Sequence, residues 1–244
     1  MFLIAHKLNK FNFKHKAFTL IEMAIVLVIV GLLLASLMVP LTQQLRQRDR
    51  SETTELLRES KQALIGYTLA NEHLPCPDKT AGAATGPNDT PNDGIEDFNA
   101  AGVCISPQGN LPWATLDLVA QDAWGTPLLY RVVGAYSNRP PLLTFGLGTA
   151  SSIVICNQAA CTAPTLTSTA VAVILSRGAN RGICSTAPSP PNCIDEAENN
   201  DVDANFVSHT DTAAGSASGE FDDQVIWLSR SVLLNSVVSA GLLP

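Results

Sequence analysis

The chain has 244 residues, enough for one domain with an extension or for two small domains. Hydrophobic residues make up 46% and charged residues only 15%, with a net charge of −7. After His73 six basic side chains stand against sixteen acidic ones, which argues against a nucleic-acid surface, since phosphate affinity comes mostly from clustered Lys and Arg.

Residues 1–17 form a basic leader with Lys7, Lys10, Lys14 and Lys16 and no acid. Phe18 to Val39 reads as an apolar helix of about 22 residues, roughly 33 Å long and sufficient to span a bilayer. Glu22 interrupts it, and a carboxylate at the centre of a bilayer helix costs about 2.5–3.5 kcal/mol on insertion scales. Pro40 allows a bend. From residue 41 to 73 the helix continues as an amphipathic segment, with Leu41, Leu45, Leu56, Leu57, Leu64, Ile65 and Leu69 as an intermittent apolar stripe. Pro75 and Pro77 end it. Lysines before the apolar run and an acidic region beyond it predict a cytoplasmic N-terminus and an exported remainder.

Residues 74–244 read as a globular head. The stretch 78–112 is rich in Gly, Asn, Asp and Pro and predicts turns. Strand-like runs follow at Pro127–Val133, Ser152–Cys156, Ala170–Ser176 and Gln224–Ser229, and a short terminal helix around Val232, Leu233, Val237 and Leu242. Trp113, Trp124 and Trp227 are expected under the sheet, with Gly125 in a turn. The six cysteines, Cys76, Cys104, Cys156, Cys161, Cys184 and Cys193, all fall in the head, as disulfides in an oxidising compartment would. Fifteen pairings exist. Local spacing favours Cys156 with Cys161 and Cys184 with Cys193, leaving Cys76 with Cys104.

"KAFTLIEMAIVLVIVGLL", from Lys16, resembles the N-terminus of type IV prepilins and type II secretion pseudopilins. "DAWGTPLLYRV", "VILSRGAN" and "FDDQVIW" resemble, in the right order, segments of pseudopilin heads. The resemblance implies an α+β lollipop: a long N-terminal helix packed on an antiparallel sheet with disulfide-stapled loops. It implies cleavage by prepilin peptidase between Ala17 and Phe18, methylation of the Phe18 amine, and an assembly contact at Glu22. The family usually has Gly where this chain has Ala17. Implied partners are other pilin or pseudopilin subunits, the peptidase, an inner-membrane platform and an assembly ATPase. The implied location is a single pass of the inner membrane with a periplasmic head, then a pilus or pseudopilus filament.

Some related heads bind calcium in a late loop, and Asp201, Asp203, Asp222 and Asp223 are oxygen ligands of the right kind. An EF-hand pattern fails, because Phe206 and Thr212 stand where Gly and Glu are needed. No cofactor is otherwise expected, and no enzyme: nucleophile-elbow, zinc-helix and phosphate-loop motifs are missing from the sequence. His73 at the helix end is expected on the surface. The competing reading is an ordinary signal peptide, cleaved near Ser36, exporting a binding protein or enzyme. It leaves Glu22 and the long following helix unexplained.

Overall fold

The computed structural model describes residues 19–83, 89–139, 149–162, 165–181, 193–213, 215–216 and 219–242, without the side chains of residues 35–42. Two compact units partition the chain, Met1–Gln47 and Arg48–Pro244. Helix α1 spans Leu20–Asn71.

In the first unit, Thr19 caps α1: its Oγ1 accepts the Glu22 N–H at 3.2 Å, and its carbonyl accepts the Met23 N–H at 3.2 Å. Glu22 therefore lies in the first helical turn, where its negative charge complements the unpaired N–H groups of the helix start. Leu20 through Leu34 present an almost wholly apolar, exposed surface. Among the described residues no helix is long and apolar enough to cross a membrane; the described apolar side chains of this run stop at Leu34.

In the second unit, α1 buries Thr53, Leu56, Leu57, Ser60, Leu64 and Thr68, a stripe at helical spacing. Ser60 and Thr68 are wholly buried because their hydroxyls donate back to Leu56 O and Leu64 O at 2.7 and 2.8 Å. The helix stops at Asn71; Glu72 turns left-handed (φ 65°) and its N–H returns to Thr68 O at 2.8 Å.

The remaining elements are β1 (Gln108–Asn110), β2 (Leu129–Val132), α2 (Gly134–Ser137), β3 (Ile153–Cys156), β4 (Thr165–Ser176), α3 (Ile194–Asn200), β5 (Asn205–Val207), β6 (Gln224–Ser229) and α4 (Arg230–Ser239). The sheet runs β1-β2-β4-β3-β5, with β6 also paired to β4. Ala170 of β4 pairs with Ile153 on one side and Ser229 on the other. Thus β2 and β3 share one edge of β4, and β6 takes the opposite edge. All pairs are antiparallel except β3 with β5, so the sheet is mixed where an antiparallel one was expected. The class is α+β.

One core joins Leu56, Leu57 and Leu64 of α1 to Tyr130, Val132, Ile174, Leu228, Leu233 and Val237. The other sheet face buries Leu129, Ile153, Ile155, Val173, Leu175 and Phe206. Among the described residues the fully buried aromatics are Tyr130, Tyr136, Phe206 and Phe221, whereas Trp113, Trp124 and Trp227 are half-buried. His73 is buried, not on the surface: its Nδ1 donates to Leu74 O at 3.0 Å and its ring meets Tyr67 edge-on at 5.6 Å. Disulfides join Cys76 to Cys104 and Cys156 to Cys161. Closing the 28-residue separation of the first removes unfolded-state entropy of about 3–4 kcal/mol. Cys193 is disulfide-bonded, and Cys184 lies outside the described residues.

Candidate functional site

Two places in the chain carry the chemistry expected of it. At the N-terminus, Ala17 and Phe18 lie outside the described residues, and Glu22 stands exposed on the first turn of α1. Its N–H is held by Thr19, so the sequence Thr19-Leu20-Ile21-Glu22 places a cap and an acid three residues apart, a spacing that favours a helix start.

In the head, three separated segments converge on one polar junction. Asp122 Oδ1 accepts the N–H groups of Trp124 and Thr126 at 3.0 and 2.9 Å. These bonds fold "DAWGT" into a turn closed by Gly125 at φ 76°. Its Oδ2 accepts the Ser176 hydroxyl at 2.6 Å, and Ser176 Oγ accepts the Gly178 N–H at 3.3 Å. Gly178, at φ 61°, lies so close to Asp222 that a Cβ there would stand 2.2 Å from Asp222 Oδ1. The loop after β4 wraps the Asp222 carboxylate, whose Oδ2 accepts the Ala179 and Asn180 N–H groups at 2.9 and 3.1 Å.

Glu196 and Asp223 complete the junction. Asn180 Nδ2 donates to both Glu196 carboxylate oxygens at 2.8 Å, and the Asp222 N–H donates to Glu196 Oε1 at 2.9 Å. Asp223 Oδ2 accepts Asn199 Nδ2 at 2.9 Å. Burial pushes the Asp223 carboxyl up to about 8, against the Asn199 hydrogen bond and with help from the charges of Glu196 and Asp222. Burial likewise raises Glu196 and Asp222. Arg177 Nε donates to Asn200 Oδ1 at 2.5 Å, and burial lowers the Arg177 pKa while Asp223 and Asp122 oppose that shift.

The four aspartates expected together as cation ligands fall into two groups. Asp222 and Asp223 join Glu196, and Asp201 and Asp203 join Glu198; within each group the carboxylate oxygens lie within 4.8 Å of one another. In the second group Asp201 and Asp203 are exposed and their oxygens serve local turns: Asp201 Oδ1 accepts the Asp203 N–H at 2.9 Å, and Asp203 Oδ1 the Asn205 N–H at 2.7 Å. The first group differs. Asp222 Oδ1 and Asp223 Oδ1 are buried with no hydrogen-bond donor among the described residues, which fits a cation. Glu196 went unrecognised in the sequence; its only local signal is its place in a short acidic helix directly after Cys193.

Residues 12–38 match the prokaryotic N-terminal methylation motif. The chain carries a class III signal. That signal is the one used by type IV pilins and pseudopilins, and the match spans 27 of the 244 residues. The class III signal covers Ala17, Phe18, Thr19 and Glu22. Neither the curated proteins nor the solved structures include a match to this chain.

Proposed function

We propose that the chain is a structural subunit, a minor pilin or pseudopilin, of a type IV pilus or a type II secretion pseudopilus. Prepilin peptidase cuts between Ala17 and Phe18 and methylates the new amine. Before assembly the subunit crosses the inner membrane once, with its N-terminus cytoplasmic and its head (residues 74–244) periplasmic. An ATPase and a platform protein then stack it with other subunits. The observation that carries this reading is the methylation motif at residues 12–38 with Glu22 inside it. In a filament core the Glu22 carboxylate meets the cationic N-terminus of a neighbouring subunit, and pairing offsets a charge that is costly when buried alone. The mass of the mature N-terminal peptide tests it: a chain starting at methylated Phe18 is expected, and one starting after Ser36 refutes it. Filament imaging and a secretion assay in a deletion strain then separate pilus from pseudopilus.

The donorless buried oxygens of Asp222 and Asp223 favour a second reading, in which the head holds a calcium ion at Glu196, Asp222 and Asp223. The ion would tie α3 to the entry of β6 and neutralise adjacent carboxylates. Thermal melting with calcium and with chelator tests it. An unchanged melting temperature counts against it.

A further inference from the structure

Lys79 and Asp89 face each other in the segment after α1, their side chains only 8% and 3% exposed. The Lys79 ammonium touches the Asp89 carboxylate and donates to Ala83 O at 2.9 Å. The backbone on either side of the amine is fixed. Asp97 Oδ2 accepts the Lys79 N–H at 2.7 Å, and Lys79 O accepts the Asn92 N–H at 3.0 Å. Asp78 Oδ1 and Oδ2 hold the Asn92 and Gly94 N–H groups at 2.7 and 2.8 Å, and residue 78 pairs with Asn110 of β1. Lys79 is thus anchored to the sheet, and its amine lies against the Asp89 carboxyl and Ala83 O.

Burying such a pair costs desolvation that their attraction repays poorly. A neutral amine against a carboxylic acid, with water excluded, is the reactant state for amide formation. Confinement supplies the proximity that a free amine and acid lack. We propose that Lys79 and Asp89 condense into an intramolecular amide cross-link. The ammonium gives a proton to the Asp89 carboxylate, and the freed Nζ lone pair attacks Asp89 Cγ. The C–N bond forms, the bond from Cγ to the protonated oxygen breaks, the nitrogen loses its second proton to the departing hydroxyl, and one water leaves. No oxidant, nucleotide or metal is consumed. Asp97, almost wholly buried, accepts the Lys79 backbone N–H and so holds the lysine in place for the reaction. Burial pushes its carboxyl up to about 6, with the charges of Asp78, Asp93 and Asp89 adding to the effect and the Lys79 N–H opposing it. The cross-link would close residues 79–89 into a covalent ring beside the Cys76–Cys104 disulfide. It requires nothing of the filament reading.

The test is mass spectrometry of the full-length chain, purified from membranes in detergent and reduced. The expected chain is lighter by one water than its mature sequence, trypsin fails to cut after Lys79, and Lys79 and Asp89 appear in one branched peptide. Lys79→Arg restores the full mass. A wild-type chain of full mass that is cut after Lys79 overturns the proposal. A water loss that persists in Lys79→Arg also overturns it, because the dehydration then lies elsewhere. Asp97→Ala should leave part of the chains at full mass; complete conversion in that variant overturns the holding role given to Asp97.

Discussion

Replacing Asp122 by Ala should be among the most damaging changes in the head that remove no apolar surface. One carboxylate holds three donors: Trp124 N–H, Thr126 N–H and the Ser176 hydroxyl. Losing it strands a fully buried hydroxyl, worth about 1–3 kcal/mol, and two turn N–H groups at about 0.5–1.5 kcal/mol each. The sum is about 2–6 kcal/mol, a large share of the roughly 5–15 kcal/mol available to a domain. With a urea slope near the top of the usual range, the midpoint should fall by about 1–2 M. Unfolding followed by tryptophan fluorescence measures it, since Trp124 sits in the affected turn. Asp122→Asn keeps Oδ1 for the two N–H groups and should lose about 1 kcal/mol. In the double variant with Ser176→Ala the costs should fall short of additivity by about 1–2 kcal/mol, because the stranded hydroxyl is gone. An Asp122→Ala midpoint within error of wild type would refute the reasoning.

Gly178→Ala should lower stability by about 2–4 kcal/mol in chemical denaturation, because the new Cβ meets Asp222 and the backbone sits at φ 61°. All three tyrosines of the chain, Tyr67, Tyr130 and Tyr136, are pushed above their ordinary pKa, burial being the first cause in each. Their folded-state values exceed the unfolded one, so the stability they contribute is complete below about pH 10 and is lost as pH rises through the folded values. Tyrosinate absorbance should therefore appear together with loss of near-ultraviolet dichroism; a gradual titration centred near pH 10 in folded protein contradicts this. Glu22→Ala should still insert into the membrane yet assemble poorly, and normal filament yield by electron microscopy would remove the pairing role assigned to Glu22.

Much of the head was legible because its central strands are β-branched runs between turn residues. The expected strand Gln224–Ser229 has those bounds in the structure, and β2 and β3 lie inside their expected runs. What escaped was held by partners rather than by local pattern. β1 and β5 are three residues each, too short to show a strand period, and become strands by pairing with β2 and β3. The parallel β3–β5 pair has no hairpin to announce it. Thr53, Ser60 and Thr68 broke the apolar stripe of α1 on paper, yet all three are buried, two by bonding their own helix. The carboxylates were grouped by residue type, and only the path of the loop after β4 separates Asp222 and Asp223 from Asp201 and Asp203. Burial of His73 against Tyr67 likewise depends on how the chain turns after α1.

The packing of α1 against β6 and α4 sets a timetable for folding. Thr54 of α1 donates to Gln224 at 2.7 Å across 170 positions of sequence, and Leu64 shares a core with Leu233 and Val237. A ribosome making this chain must therefore lay down nearly all of the head before the inner face of α1 can be covered. Until then the leucines of that face are open to any apolar neighbour. Contacts of such long range also slow the final closure. The segment from β6 to α4 acts as the latch of the head, and a chain halted before it would leave a long helix with an uncovered flank.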